Sequence, residues 1–232
     1  MEEEITACRK SNTRTPHENH KSQCKSMPYV HQKHYFIHIK WGAKKMIEQR
    51  QPDYAAVKNR YEALREDSRN LAYETLAPVL TNKKSQAISK STLTFGGITV
   101  NCIKELRKWE MSGLRRVAWD WDKVLKIYRP KPKRFELSIW HGKHWLCSAS
   151  IGKPTAKGGK LRLDLIESNP SGSPIDGLVA DINIKLYKLY ANAIGATELR
   201  IMNPVNEIVR GHYLNKEGFS YDQKENFYFS KV

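Results

Sequence analysis

The stretch that most constrains how this chain folds runs from Leu161 to Gly195. At its start, leucines alternate with charged residues, which is the two-residue period of a strand with one buried face. Pro, Gly and Ser between Asn169 and Ser173 then end the strand. Apolar residues recur after that at steps of three and four up to Gly195, the pattern of one helix face closed by a glycine. The sequence therefore predicts a strand, a turn and a helix in succession.

The turn before this helix is a candidate phosphate seat. The helix is predicted to begin directly after Ser173, which forms a capping-box arrangement with Asp176. Backbone N–H groups at a helix N-terminus are unpaired, and the helix dipole favours negative charge there. A strand–helix crossover without any ligand explains this segment alone equally well.

The elements that follow form an ordered set. A short predicted strand, Glu198 to Met202, leads to a second helix that opens at Asn203 and ends in the sequence HYLNKEGF. From Lys133 to Val232, this order resembles the C-terminal half of the GNAT N-acyltransferase superfamily. That superfamily carries a helix of pattern N..A...Y closed by Gly-Phe, which is matched here, with Val in place of Ala, by Asn206, Val209, Tyr213, Gly218 and Phe219.

The resemblance implies an α/β fold in which a mixed, mostly antiparallel, twisted sheet is flanked by helices. The chain then divides into a basic arm (residues 1–34), which is poorly ordered or irregular, a helical extension (35–85) and the acyltransferase-like domain (86–232). A long helical pattern from Asp53 to about Leu76 forms the extension. The resemblance also implies acetyl-CoA or a related acyl-CoA as the cofactor.

The resemblance also assigns roles to residues of the strand, the turn and the second helix. Backbone groups of Ile166 and Ser168 hold the pantetheine arm, and Tyr213 protonates the departing thiolate. The other implied cofactor contacts are Ser171, Gly172, Ser173, Gly177 and Asn206. Glu167 is the first candidate for the base that deprotonates the acceptor amine, and Asp164 is the second. Further options for the base are His144 and Glu136. A salt bridge to one of the many Lys and Arg residues is the competing interpretation of each carboxylate.

Two features depart from the family pattern. The phosphate turn of the family has the form Q/R-x-x-G-x-G/A, whereas this chain has N-P-S-G-S-P-I-D-G, in which Gly172 and Gly177 are the glycines. The family tyrosine stands four residues before the final glycine, where this chain has Leu214, and Tyr213 is one helical step of about 100° away. Both departures favour the rival hypothesis of a nucleic-acid-binding protein without enzymatic activity on the same scaffold.

The net charge of +16 is the strongest compositional fact. A surface this basic favours polyanionic partners, of which DNA and RNA are the first candidates. Pro130 and Pro132 favour an extended backbone in the basic segment around them. The residues of this segment that we expect to contact phosphates are Arg129, Lys131, Lys133 and Arg134. A solvated connector is the alternative interpretation.

The charge and the extension favour a macromolecular acceptor amine, with nucleic acid ahead of the alternatives. The chain is similar in size and basicity to phage DNA-modifying proteins of the Mom type, which have a GNAT-like fold and alter adenine in DNA. An enzyme that acetylates tRNA fits the same features. The alternative within the enzyme class is an N-acetyltransferase that acts on a protein or a small molecule.

Composition excludes several other classes. Hydrophobic residues at 40% and aromatic residues at 10% exclude wholesale disorder. No apolar run approaches the ~20 residues of a membrane span, so we expect no membrane partner. The four cysteines are widely scattered, which favours a reduced, cytoplasmic setting. The spacing of Cys8, His17, His20 and Cys24 matches no standard zinc site, and we expect no metal. The motifs G-x-S-x-G and H-E-x-x-H of hydrolases are lacking.

Overall fold

The computed structural model describes residues 53–204, 211 and 218–232, which belong to one compact unit. The helices are α1 (Tyr54–Glu74), α2 (Val100–Met111), α3 (Trp121–Tyr128) and α4 (Val179–Ala193). The strands are β1 (Val79–Thr81), β2 (Ala87–Ser89), β3 (Leu93–Gly96), β4 (Phe135–His141), β5 (Trp145–Pro154), β6 (Lys160–Ser168), β7 (Glu198–Met202), β8 (Ser220–Asp222) and β9 (Phe227–Lys231). The predicted arm, residues 1–34, lies outside the described residues.

Seven of these strands form one mixed sheet in the order β3-β4-β5-β6-β7-β9-β8. All neighbours in it are antiparallel except β6 and β7, which run parallel and are joined through α4. Strands β1 and β2 form a separate antiparallel hairpin. The predicted fold class, a mixed and mostly antiparallel sheet flanked by helices, is confirmed.

Helices cover the sheet on both faces. One core cluster joins α1 and α4 to the sheet and contains Ala72, Leu163 and Tyr187. The other joins α2 and α3 to the opposite face and contains Leu106 and Trp121. The predicted helical extension thus contributes side chains to the core of the domain that follows it. Among the described residues, no helix is long and apolar enough to cross a membrane.

Side-chain caps explain where three of the helices begin. Asp53 accepts a hydrogen bond from the Ala55 N–H at the start of α1, and Thr99 accepts one from the Cys102 N–H at the start of α2. Asp120 does the same for α3 through the Lys123 N–H at 2.9 Å. The apolar pattern from Arg115 to Leu125 predicts a helix over that range, but its first residues are not helical, and residues 112–120 form a connection instead.

The predicted start of α4 is also wrong. Ser173 and Asp176 do not form a helix N-cap, because residues 174–178 make turns in which the Asp176 N–H bonds to the Ser173 carbonyl at 3.1 Å. Gly177 adopts a φ of +83°, which a right-handed helix excludes. The helix therefore begins at Val179, after Leu178, whose side chain makes no cap hydrogen bond.

Two strand predictions differ from the structure. Short apolar runs on either side of Gly96 and Gly97 predict a strand pair with a tight turn, but β3 pairs with β4 instead and the chain then enters α2. The segment from Tyr221 to Val232 predicts one final edge strand, but it contributes to two strands, of which β8 is at the edge and β9 lies between β7 and β8. Both pairings join segments far apart in sequence, which local patterns do not specify.

A β-bulge in β6 places Leu165 on the opposite face of the sheet from Leu163, although the alternating leucines predict one shared face. Ile151 of β5 pairs with Leu165, but the next residue, Gly152, pairs with Leu163, so Asp164 is the extra residue. Leu163 consequently packs in the α1 and α4 core, whereas Leu165 packs against the α2 and α3 core. Gly152 permits this close approach, because a Cβ atom there would lie 1.8 Å from the Arg162 carbonyl oxygen.

Candidate active site

Among the described residues, strand β6 has an unpaired backbone edge over its second half. It pairs with β7 only from Lys160 to Leu163, whereas its pairing with β5 continues to Ser168. Strand β7 ends at Met202, and Asn203 then takes a left-handed φ of +47° and donates its N–H to the Asn226 carbonyl at 3.0 Å. Within the described part of the chain, no strand pairs with this edge of β6 beyond Leu163.

The residues predicted to hold pantetheine lie on this part of β6. Ile166 is half-buried and packs against the α1 and α4 core, and Ser168 is exposed at the end of the strand. The structure therefore places both residues beyond the part of the strand that pairs with β7. An open edge presents N–H and C=O groups that another extended chain can pair with.

The predicted phosphate turn follows directly after β6. The Asn169 side chain accepts the Ser171 N–H at 3.0 Å, and the Asn169 carbonyl accepts the Gly172 N–H at 3.1 Å. Gly172 is exposed with a φ of +97°, and the Ser173 hydroxyl accepts the Ile175 N–H at 3.2 Å. Two of the amides expected to face a phosphate are thus used within the turn, which leaves the first turn of α4 as the main source of N–H groups.

The β1–β2 hairpin braces the other side of this turn, which sequence reasoning missed. The Lys83 N–H donates to the Asp176 carbonyl at 2.8 Å, and the Asn82 side chain donates to the Pro174 carbonyl at 2.9 Å. A Cβ atom at Gly177 would lie 2.8 Å from the Lys83 Cβ atom. Gly177 is therefore required for packing against the hairpin, and no local pattern signals a contact across more than 90 residues.

Glu167, the first candidate base, is buried and held by three donors. Arg115 in the α2–α3 connection donates its Nε at 2.6 Å and its Nη2 at 2.8 Å. The Trp121 indole N–H donates at 2.7 Å. The hydrogen bond to Glu167 is the main cause that raises the pKa of Arg115 above its usual value. These contacts favour an anchoring role for the Glu167 carboxylate over that of a free proton acceptor.

Asp164, the second candidate base, is also occupied. The Tyr128 hydroxyl donates to it at 2.7 Å, and the Arg162 Nε donates at 2.7 Å. Burial and the Asp164 charge raise the pKa of Tyr128, so its hydroxyl stays protonated. Because Asp164 is the extra residue of the bulge, this contact ties α3 to the point where β6 leaves β7.

The remaining candidates for catalysis are in different surroundings. Glu136 forms a buried ion pair with Arg134 at 3.2 Å, and His144 is exposed in the β4–β5 hairpin. Tyr213 and Asn206 lie outside the described residues. Among the residues that the structure describes, no group of three or more His, Cys, Asp or Glu side chains could hold a metal ion.

The predicted phosphate contacts of the basic segment separate into two groups. Arg129 and Lys133 are exposed and Lys131 is half-buried, so these three are accessible. Arg134 is only 7% exposed and donates to the Arg129 carbonyl at 3.2 Å, besides its ion pair with Glu136. Arg134 is therefore a structural residue with no access to a phosphate backbone.

No family model and no curated protein match the sequence. Solved structures similar to it include N-acetyltransferases. A variant of the spermidine N-acetyltransferase SpeG from Vibrio cholerae aligns over 61% of this chain and 94% of its own, with 8% identity and a TM-score of 0.46. Ard1 from Thermoplasma volcanium aligns over 61% and 98%, with 12% identity and a TM-score of 0.46.

A third similar structure was solved with a cofactor. The PaiA N-acetyltransferase from Thermoplasma acidophilum, in complex with coenzyme A, aligns over 60% of this chain and 99% of its own, with 12% identity and a TM-score of 0.41. At these values the similarity concerns the arrangement of elements alone.

Proposed function

We propose that this protein is an acyl-CoA-dependent N-acyltransferase. The observation that supports the proposal most is the open edge of β6 from Asp164 to Ser168. The pantetheine arm of CoA carries amide groups, and amides pair with an exposed strand edge as an additional strand does. This edge therefore suits a thioester donor laid alongside β6.

The pyrophosphate of the donor suits the turn that follows. The turn ends at the N-terminus of α4, where Leu178 supplies no side-chain cap and the helix dipole favours an anion. Lys83 and Lys84 at the tip of the β1–β2 hairpin are exposed, and the Lys83 backbone contacts the turn. These two lysines compensate for the departure of the turn from the family pattern.

The transfer step requires two proton movements. The acceptor nitrogen attacks the thioester carbonyl, a C–N bond forms, the C–S bond breaks, and the amine proton leaves while the thiolate gains one. Backbone N–H groups on the open edge stabilise the charge that develops on the carbonyl oxygen. Tyr213 remains the predicted acid. Glu167 and Asp164 remain predicted bases, although each must give up a donor before it accepts a proton.

We infer that the acceptor is an amine on a nucleic acid, as in Mom-type modification of DNA adenine or in tRNA acetylation. The support is the net charge of +16 together with the accessible cations Arg129, Lys131 and Lys133. A protein or small-molecule amine is the alternative acceptor. A nucleic-acid-binding protein without enzymatic activity would bind polyanions and show no affinity for acyl-CoA.

The donor site is tested by calorimetry with acetyl-CoA. Gly172→Glu adds bulk and negative charge at the turn, and we expect it to abolish binding. Gly158→Glu is the matched control, because Gly158 also has a positive φ (+76°) and open surroundings but lies in the β5–β6 turn. Equal affinities in the two folded variants would contradict the proposed seat.

The acceptor is tested by mass spectrometry of DNA, tRNA and proteins from cells that express the chain, beside an empty control. Replacing Arg129, Lys131 and Lys133 by Ala should reduce the salt dependence of nucleic-acid binding by roughly one unit for each phosphate that is no longer neutralised. Modification of nucleic acid should fall with it. Modification confined to proteins or metabolites would establish the alternative acceptor.

A further inference from the structure

We propose that a cleft between α2 and the β4–β5 hairpin binds a single-stranded segment of nucleic acid, one base of which stacks on Trp145. The inference rests on the proposed nucleic-acid acceptor and assigns the surface that recognises it. The cleft has a volume of about 780 Å³. The residues on its walls that carry the argument are Lys104, Lys108, Trp140, Lys143, His144 and Trp145.

The charge of the cleft matches a phosphate backbone. Lys104 and Lys108 lie one helical turn apart on α2, and Lys143 faces the same space from the hairpin. Glu105 also lines the cleft and forms an ion pair with Lys108 at 2.6 Å, whereas no ion pair is described for Lys104 or Lys143 within the part of the chain that the structure covers. Exposed ammonium groups on both walls neutralise successive phosphates of one strand.

The two tryptophans give the cleft an aromatic surface. Trp140 is half-buried, and its indole N–H donates to the Ser138 hydroxyl at 3.1 Å. That hydroxyl in turn donates to the Gly97 carbonyl at 2.9 Å, so the Trp140 ring is held in place. Trp145 is 46% exposed, although tryptophan side chains are highly buried on average. Its ring is available to stack on a base, and stacking tolerates any base because all have π faces.

These features favour a single strand over other polyanions. In a duplex the bases stack on one another and pair, so an indole ring on the protein surface cannot stack on them. An acidic protein would pair with the lysines and could bury the exposed ring, but its carboxylates are not accompanied by flat rings that stack on the indole. A single strand uses both, because flexible nucleotides present phosphates and unstacked bases together.

The cleft also lies at the correct end of the sheet for this role. Trp145 begins β5, and Ser148, three residues later, pairs with Ser168 at the end of β6. Only β5 separates β4 from β6, so these two strands are about 10 Å apart in the sheet at a strand spacing of about 4.8 Å. A strand held in the cleft can therefore continue toward the edge where we place the acyl donor.

Fluorescence anisotropy with labelled single-stranded oligonucleotides, and with the matching duplex, tests the proposal. We expect Trp145→Ala to weaken single-strand binding about 5- to 100-fold and Trp145→Phe to retain most of it. Lys104→Ala and Lys143→Ala should each lower the salt slope by about one unit. Lys157→Ala, an exposed lysine in the β5–β6 turn, is the control and should behave as the wild type.

Three results would overturn the proposal: wild-type affinity in Trp145→Ala, tighter binding of the duplex, or equally effective competition by poly-glutamate. Calorimetry with acetyl-CoA on the same variants separates this inference from the proposed function. Loss of acetyl-CoA binding in Trp145→Ala would assign the cleft to the donor and refute a nucleic-acid role. Trp145-dependent oligonucleotide binding in a protein that acylates nothing would refute the proposed function and leave the cleft assignment standing.

Discussion

The two helix layers of the sheet hold buried charge in different ways. In the α1 layer, the fully buried Arg65 donates to the carbonyls of Pro132 and Arg134 at 2.7 and 2.9 Å. The Arg134–Glu136 ion pair beside it joins residues only two positions apart in the sequence. This network joins the basic segment and the start of β4 to α1. Its charged residues Arg65, Arg134 and Glu136 are all buried.

In the α2 and α3 layer, the buried charges join distant segments. Glu167 is bound by Arg115 and Trp121, which are 52 and 46 residues away, and Asp164 is bound by Tyr128, which is 36 residues away. Both carboxylates lie on β6 beyond its last pairing with β7. Similar buried ion pairs therefore have different roles. The Arg134–Glu136 pair stabilises the core beside α1, whereas the contacts of Glu167 and Asp164 hold the part of β6 where we place the reaction.

The largest expected effect comes from the α1 layer. Arg134→Ala leaves Glu136 buried without its cation and should lower the free energy of unfolding by about 3–5 kcal/mol, measured by urea denaturation. Arg129→Ala in the same segment is exposed and should change it by less than about 0.5 kcal/mol. An Arg134→Ala variant with normal stability and weakened nucleic-acid binding would show instead that Arg134 contacts nucleic acid and does not stabilise the core.

The next effect concerns the Arg115–Glu167 pair. If Glu167 anchors the α2–α3 connection, Arg115→Ala and Glu167→Gln should lower kcat/KM by similar factors, and the double variant should add little. Each should also lower the free energy of unfolding by about 1–3 kcal/mol. A double-mutant cycle measures both. A loss of about 10²–10⁴-fold in turnover confined to Glu167→Gln would instead identify a general base.

A smaller effect is expected where the β1–β2 hairpin meets the turn, on the α1 face. Gly177→Ala combines a positive φ with the short approach to Lys83 and should cost about 1–2 kcal/mol. Adding Lys83→Gly should restore part of the loss, because it removes the opposing Cβ atom. Gly172→Ala, with a positive φ but open space, isolates the backbone strain. Thermal unfolding of these variants is the measurement. If Lys83→Gly restores no stability to Gly177→Ala, the close approach to Lys83 is not the cause of the loss.

The smallest effect concerns Tyr128 in the α2 and α3 layer. Tyr128→Phe removes one hydrogen bond to Asp164 and should cost about 0.5–1.5 kcal/mol at neutral pH. Burial, with the Asp164 charge, raises the pKa of Tyr128 above the value near 10 of the unfolded chain. The hydroxyl therefore contributes full stability below about pH 10 and loses it as the pH rises further.

Denaturation between about pH 8 and 11 checks the sign of this effect. The wild type should lose stability above about pH 10 more steeply than Tyr128→Phe. Burial also raises the pKa values of Tyr187 and Tyr190, so the stability of both proteins should still fall to some extent with rising pH. Parallel curves for the two proteins would mean that the Tyr128 hydroxyl is not held by Asp164 in solution.

Patterns within single elements were the part of the fold that sequence reasoning predicted well. The β4–β5 hairpin follows from alternation on either side of Gly142, and β7 has the predicted bounds, Glu198–Met202. Helix α1 follows its apolar pattern and its Asp53 cap. Errors occurred at helix starts, where a cap at Asp120 or a positive φ at Gly177 decided the boundary.

The sequence by itself determined the strand, turn, helix and strand order from β6 to β7, the basic charge, and the position of the turn after β6, because these depend on residue type and on spacing between near neighbours. Only the tertiary structure decided which groups meet. One bulge at Asp164 shifts the register of β6, because every residue after an inserted one changes face. Among the described residues, the edge of β6 is unpaired beyond Leu163 because β7 ends at Met202, before the left-handed Asn203. Long-range packing then brings Arg115, Trp121 and Tyr128 to the carboxylates on this part of β6.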